Sequence, residues 1–163
     1  MKFTCSTTSL NKAIQTVQRA ISSKPTAPIF SGIHIIAAEN ILYVQAMDLN
    51  MAISCTVESN TEANGEIVVS AKHFSELMRK LPGETVTIIK NKEEKTISVK
   101  SAKSDFQLLL MNEDDYPKFP EFNPEKQIVL EDEKIKELIK KTIFSCSTDE
   151  ARPLFTRSEE RRV

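Results

Sequence analysis

The chain has 163 residues, enough for one domain or for one domain and part of another. Forty per cent of the residues are hydrophobic and 28% are charged, which allows a buried core, and no run of apolar residues is long enough to predict a membrane span. The net charge of −1 argues against a generally basic nucleic-acid binder, so the distribution of charge along the chain matters more than its sum.

The first residues and the cysteines together predict a cytoplasmic protein. Met1–Thr4 shows no basic stretch leading into an apolar one, the pattern of a secretory signal. Cys5, Cys55 and Cys146 are few and widely separated, which argues against a disulfide framework and against a zinc site. We read Cys5 and Cys55 as small hydrophobic core residues in a reducing compartment, and we expect no cofactor.

A strand followed by a helix is predicted three times along the chain. The three pairs are a strand at Lys2–Ser6 with a helix to about Ser22, a strand at Glu66–Ser70 with a helix ended by Pro82-Gly83, and a strand at Gln127–Leu130 with a helix that Asp132 caps. Phe3, Ile67 and Ile128 are 64 and 61 residues apart, so one supersecondary unit is used repeatedly.

Strands are predicted between the helices. They are Ile29–Ala37, Ile41–Met47 and Met51–Glu58 after the first helix, and Thr85–Lys90, Thr96–Lys100 and Asp105–Leu110 after the second. The fold class is therefore α+β, a doubled β-α-β-β-β unit with helices on one face of antiparallel sheet. The proline-rich segment 112–126 reads as a linker, which predicts domains at 1–125 and 126–163, the second incomplete. In that second domain we expect Ile135, Leu138, Ile139 and Ile143 to line a buried helix face.

The first two predicted helices carry basic residues with few acidic residues between them in the sequence. The solvent side of the first helix has Lys12, Gln15 and Arg19, and the second has Lys72 and Arg79. A basic stripe of this kind suits contact with phosphates without base recognition. An ordinary solvated helix surface has the same appearance, and charge alone does not separate the two interpretations.

No arrangement of residues predicts an enzyme. His34 and His73 are the only histidines and have no nucleophile near them in the sequence, and three scattered glycines form no phosphate-binding loop. Glu113-Asp114-Asp115 is the one cluster that could bind a metal, and it leaves a metal-dependent nuclease as a remote alternative. Adjacent carboxylates in a loop are more typical of a solvated charge run.

Seven short motifs resemble those of bacterial DNA polymerase III β sliding clamps. In chain order they are Met1-Lys2-Phe3-Thr4; Lys24 to Phe30 (KPTAPIF); Met47 to Met51 (MDLNM); Ser70 to Phe74 (SAKHF); Ser104 to Leu108 (SDFQL); Asp114-Asp115-Tyr116-Pro117; and Phe144-Ser145 followed by Ala151 to Thr156 (ARPLFT). Each is weak alone, but their common order over residues 1 to about 156 identifies the family.

The resemblance implies a DNA-clamp fold and a non-catalytic role in replication. Members of the family are rings of two subunits joined head to tail, with helices lining the hole and sheets outside. The implied partners are double-stranded DNA, a second clamp subunit, the DNA polymerase III catalytic subunit and the clamp loader, with no membrane.

The resemblance also assigns roles to individual residues. Lys24, Lys72 and Arg79 match basic residues near DNA, and Lys12, Gln15 and Arg19 are added because they share the predicted solvent side. Leu77, Phe106 and Leu108 match the subunit interface, although by themselves they read as ordinary core. Arg152 and Phe155 match the edge of the cleft that holds the clamp-binding motifs of partner proteins.

After Thr156 the sequence departs from the family pattern. Residues 157–163 are charged, so we expect a truncated chain with an unrelated tail. A truncated clamp could also act as an interaction module that pairs with full-length clamp subunits through the edge containing Phe106 and Leu108.

Overall fold

The computed structural model of the protein describes residues 1–22, 25–91, 93, 95–120 and 129–147. The chain forms two compact units, Met1–Pro120 and Glu121–Val163. The elements of the first unit are β1 (Lys2–Ser6), α1 (Thr7–Val17), β2 (Gly32–Ala38), β3 (Ile41–Met47), β4 (Ala52–Ala63), β5 (Gly65–Ser70), α2 (Ala71–Lys80), β6 (Thr85–Asn91), β7 (Thr96–Ser101) and β8 (Ser104–Met111). Short 3₁₀ turns lie at Gln18–Ala20, Pro28–Ser31 and Glu113–Asp115.

The eight strands form one closed antiparallel barrel in the order β1-β4-β3-β2-β5-β8-β7-β6. β1 closes it by pairing on both edges, with Phe3 opposite Thr61 of β4 and also opposite Ile88 of β6. β5 pairs with β2 along its whole length but with β8 only at Val68 and Val69. The predicted antiparallel α+β class is confirmed, whereas the closure of the barrel was not predicted.

The apolar sides of α1 and α2 pack into a single core with the inner faces of the strands. Leu10, Ile14, Phe74 and Met78 are at most 1% exposed and belong to the same buried cluster as Phe3 and the alternating residues of the strands. Burial of large side chains of this kind contributes roughly 1.5–3 kcal/mol each. The two helices also contact each other. Because their apolar sides are buried in this core, their polar sides both face away from it.

Local sequence chemistry accounts for the tight connections. Glu39 and Asn40 both have positive φ, the geometry of a two-residue hairpin turn, and the Asn40 side-chain oxygen accepts a hydrogen bond from the Thr61 amide at 3.0 Å. Asp48 turns the next hairpin by accepting from the amides of Asn50 and Met51 at 2.8 Å each. At the start of α1 the Ser6 hydroxyl accepts from the Ser9 amide at 3.3 Å, as the predicted cap region requires.

Several predicted boundaries are corrected by the structure. The α-helical part of α1 ends at Val17, because the chain tightens into the 3₁₀ turn Gln18–Ala20. β2 begins at Gly32 and not at Ile29, because Pro28 opens a 3₁₀ turn that the Ser31 hydroxyl stabilises by donating to the Pro28 carbonyl. β4 continues to Ala63, five residues past Glu58, because its second half pairs with β1.

The second unit contains α3 (Asp132–Thr142) and a 3₁₀ turn at Ile143–Ser145. Glu131 occupies the N-cap position, so the prediction that Asp132 caps this helix is wrong by one residue. No side chain of α3 is buried, and Leu138, Ile139 and Ile143 are 44–59% exposed, so within the described residues the expected buried face is not covered. Of the predicted strand Gln127–Leu130, the first two residues lie outside the described residues and Val129 and Leu130 are not in a strand. The predicted domains, 1–125 and 126–163, remain a prediction.

Among the described residues, no helix combines the length and the apolar character needed to cross a membrane.

Burial of Cys5 predicts a specific loss of stability at alkaline pH. Desolvation raises the pKa of its thiol from an ordinary 9.0 to about 12, so above pH 9 only the unfolded chain ionises this group. The free energy of unfolding should therefore fall as the pH rises from 9 toward 12. Urea unfolding across this interval should show a shallower decline for Cys5→Ala than for the wild type, by up to a few kcal/mol. Equal slopes for the two proteins would contradict the assigned burial.

Candidate nucleic-acid interface and open strand edge

The first helix presents its polar residues to solvent on the side opposite the core. Lys12 and Gln15 are exposed on α1, while Ala13 and Ile14 between them are buried. Arg19 is exposed in the 3₁₀ turn that follows, where buried Ala20 anchors the chain. The three predicted residues are therefore accessible to a ligand, as the helical spacing indicated.

The second helix repeats this arrangement with more charge. Lys72 and Arg79 are exposed on α2, and Phe74 and Met78 hold the opposite side in the core. Glu76 is the single acidic residue of α2. We call the five exposed residues Lys12, Gln15, Arg19, Lys72 and Arg79 the helix face.

The basic residues of the helix face are not neutralised by neighbouring carboxylates. None of them forms an ion pair with another residue in the described part of the chain. The lysines that do pair in the first unit lie on strands: Lys2 with Glu62 at 2.7 Å, Lys90 with Glu113 at 2.6 Å and Lys100 with Asp105 at 3.3 Å.

The sequence of the first unit shows how charge is divided. Residues 1–120 contain thirteen basic and thirteen acidic residues, yet α1, the 3₁₀ turn after it and α2 together hold five basic residues and one acidic residue. The rest of the unit is therefore net acidic by the same amount. A locally positive surface can contact phosphates even though the unit as a whole carries no net charge.

Three residues assigned from the family resemblance lie outside the described residues. They are Lys24, Arg152 and Phe155. Their assigned roles, contact with DNA for Lys24 and the partner-peptide cleft for Arg152 and Phe155, stay predictions.

One edge of β8 has no strand beside it in the described part of the chain. β8 pairs with β7 from Ser104 to Leu109, but β5 reaches only Leu110 and Met111 on the other side because β5 ends where α2 begins. Ser104–Leu109 is therefore an open edge, with backbone groups available to a further strand.

The three predicted interface residues lie at this open edge or on α2 beside it. Phe106 and Leu108 pair with the buried Val99 and Ile97 of β7, so their side chains point to the core side of the sheet. Leu108 packs against the core, as does Leu77 from α2, whereas Phe106 is 41% exposed. The structure thus leaves one of the three substantially open to solvent.

Sequence reasoning missed further residues at the same place. Leu109 is 78% exposed, and His73 and Gln107 join it around a groove of about 370 Å³ between the start of α2 and β8. The period-two alternation of Phe106, Leu108 and Leu110 could have shown that Leu109 points outward, since strand neighbours face opposite sides.

Two of the three residues of the acidic cluster Glu113-Asp114-Asp115 are engaged in contacts within the fold. Both oxygens of Glu113 accept from the Lys90 ammonium, at 2.6 and 2.8 Å, and Asp115 accepts from the Asn112 amide at 2.9 Å. No group of three potential ligands converges among the described residues. The cluster is held by hydrogen bonds that serve the fold.

The sequence of residues 1–120 matches the family model for the N-terminal domain of the DNA polymerase III β subunit. The chain belongs to this family. The β sliding clamp of Bacillus subtilis strain 168 is 34% identical over 96% of this chain. This chain spans only 43% of that relative, so it corresponds to less than half of a clamp subunit.

Solved clamp structures share the fold. The DNA polymerase sliding clamp of Bacillus subtilis superposes with a TM-score of 0.88 at 32% identity, covering 94% of this chain and 42% of the clamp chain. The β subunit of the DNA polymerase of Streptococcus pyogenes gives a TM-score of 0.87 at 26% identity, covering 94% and 42%. The clamp fold and the family predicted from the seven motifs are confirmed.

The difference in burial between Phe106 and Leu108 predicts that their substitution affects stability differently. We expect Leu108→Ala to lower the free energy of unfolding by roughly 1–3 kcal/mol and Phe106→Ala by less than about 1 kcal/mol, because only Leu108 packs into the core. Chemical denaturation of the two variants measures this. An equal loss for both would make Phe106 an ordinary core residue.

Proposed function

We propose that this chain is part of a sliding clamp, a processivity factor that encircles duplex DNA without sequence specificity and tethers the replicative polymerase. The observation that carries the proposal is the helix face, whose basic residues have no ionic partner among the described residues of a unit that is neutral as a whole. Such a surface holds phosphates by charge alone and releases them easily, which suits a protein that slides.

The strand pairings support a doubled β-α-β-β-β unit. β1 pairs with β4 and β6, while β5 pairs with β8 and β2. If β1–β4 are matched in order with β5–β8, the pair β1–β4 corresponds to the pair β5–β8, and the pair β1–β6 corresponds to the pair β5–β2. The helices occupy equivalent positions, α1 after β1 and α2 after β5. These correspondences support the proposal that the two halves of residues 1–120 are one motif used twice, as in a ring built from repeated units.

DNA contact is assigned to Lys12, Gln15, Arg19, Lys72 and Arg79, together with Lys24. The first five are exposed and lie on the sides of α1 and α2 that face away from the core. None of them belongs to a motif that reads base edges, so binding depends on the phosphate backbone. Lys24 follows from the family resemblance alone.

The partners proposed for the complete protein are those of a replication clamp. A second clamp subunit pairs with the open edge at Ser104–Leu109, where Phe106, Leu108 and Leu77 form the apolar contact. The polymerase III catalytic subunit and the clamp loader bind at a cleft to which Arg152 and Phe155 contribute. Tethering in this way raises the effective concentration of polymerase at the primer end. The proposed location is the cytoplasm.

The helix face should determine how DNA binding responds to salt. Binding of short duplex DNA, followed by fluorescence anisotropy at low ionic strength, should weaken as salt rises and should not depend on base sequence. Lys72→Ala and Arg79→Ala should each reduce the slope of log affinity against log salt concentration by about one, because each removes one phosphate contact.

Lys100→Ala is the matched control for this experiment. Lys100 is exposed and basic, but it lies on β7 and is paired with Asp105. Its removal should leave the slope unchanged. A slope that falls equally in all three variants, or a clear preference for one sequence, would contradict the assignment of the helix face.

A second candidate function is favoured by the open edge itself. A chain that contains this edge without the rest of a clamp would bind a full-length clamp subunit and block ring closure. Mixing the chain with a full-length clamp at micromolar concentration and measuring mass by light scattering tests this. Absence of a mixed complex would end the second candidate and would also contradict the proposed pairing of a clamp subunit with the open edge, while the assignment of DNA contact to the helix face would stand.

A further inference from the structure

The segment that follows β8 is fixed to the barrel at two separate points. We call Asn112–Tyr116 the exit strap, because it directly follows β8, the last strand of the barrel. It contains the 3₁₀ turn Glu113–Asp115, closed by the Tyr116 amide donating to the Glu113 carbonyl at 3.1 Å. This turn brings Glu113 and Tyr116 into position to contact different strands.

The first attachment is the ring of Tyr116. It is only 8% exposed and lies against His34 of β2, with ring centroids 5.0 Å apart and planes inclined by 48°. His34 alternates with Ile33 and Ile35, which face the core, so Tyr116 sits on the outer side of the sheet. Val68 of β5 pairs with His34 on that side and is fully buried, although it is not part of the main core.

The second attachment is the carboxylate of Glu113. It accepts two hydrogen bonds from the Lys90 ammonium of β6, and the same ammonium donates to the Glu66 carbonyl of β5 at 3.0 Å. Lys90 and Glu113 are 20% and 33% exposed at their side chains, so water only partly competes for the pair.

Both attachments meet at one residue of β5. The backbone carbonyl of Glu66 accepts a hydrogen bond from the Lys90 ammonium, which also binds Glu113. The side-chain carboxylate of Glu66 lies 2.9 Å from the Nε2 atom of His34, the residue that Tyr116 contacts. This is also where the ladder between β5 and β8 is limited to two residue pairs. Side chains thus hold the strap to the sheet where strand pairing is short.

We propose that the exit strap is a built-in clasp that fixes where the chain leaves the barrel. The clasp has two anchors, the Glu113 carboxylate on Lys90 and the Tyr116 ring on His34. It holds Tyr116 on the outer side of the sheet, opposite the core into which α1 and α2 pack. The inference concerns the barrel alone and does not depend on DNA binding.

Hydrogen–deuterium exchange of the whole chain, read by mass spectrometry, tests the clasp. We expect Glu113→Gln and Tyr116→Ala each to accelerate amide exchange in residues 112–119 by about tenfold or more, because each removes one anchor. Exchange in β1 and α1 should stay as in the wild type for Glu113→Gln, which alters a partly exposed ion pair and does not threaten the core.

Two neighbouring changes are the matched controls. Asp114→Asn makes the same change of charge next to Glu113, but Asp114 has no ionic partner among the described residues. Tyr116→Phe keeps the ring and removes a buried hydroxyl that lies near the Met47 backbone without a hydrogen bond of ordinary geometry. Both should leave exchange in the strap unchanged. The proposal is overturned if Glu113→Gln does not speed exchange there beyond Asp114→Asn, or if it raises exchange equally throughout the barrel.

Discussion

Pairing of β1 on both of its edges is the constraint on which the rest of the first unit depends. Five residues, Lys2–Ser6, align β4 on one side and β6 on the other, and so join the two halves of the chain into one closed barrel. A closed barrel has few free edges, and α1 and α2 must then bury their apolar sides in the same core. If β1 paired on one edge only, each half would need a core of its own, which about sixty residues supply poorly.

The distribution of charge follows from this shared core. Because both helices turn their apolar sides inward, their basic residues face away from the core and are not paired with acidic residues of the described chain. The strand lysines Lys2, Lys90 and Lys100 are matched with carboxylates nearby. The two exposed pairs, Lys2–Glu62 and Lys100–Asp105, contribute at most about 1 kcal/mol each to stability, so their main effect is to neutralise positive charge on the strands. Lys95, Lys103 and Lys118 differ from these strand lysines, because they are exposed outside the helices and form no ion pair in the described part of the chain.

Local patterns in the sequence predicted most of the elements of the first unit. Ile41–Met47 was predicted to the residue, and the cap at Ser6, the stop at Pro82-Gly83 and the hairpin turns follow from chemistry within a few positions. Pairing between distant segments was not predictable in this way. The extension of β4 to Ala63 depends on β1, and the open part of β8 depends on where β5 ends.

The functional residues divide in the same manner. Helical spacing was sufficient to place Lys12, Gln15, Arg19, Lys72 and Arg79 in solvent. The exposure of Phe106 beside the packed Leu108 could not be read from a strand pattern in which both look like core residues. The contacts of the exit strap were missed altogether, because Glu113 meets Lys90 and Tyr116 meets His34 only after the barrel has formed.

The central claim, that DNA lies against the helices, is tested most directly by mapping the contact residue by residue. Amide chemical shifts of the labelled chain should be recorded by NMR while short duplex DNA is added at low salt. The account predicts shifts concentrated at Lys12–Arg19 and Lys72–Lys80, with the outer sides of β2, β3 and β5 unaffected. Shifts concentrated on those strands, or none on the helices at saturating DNA, would contradict it.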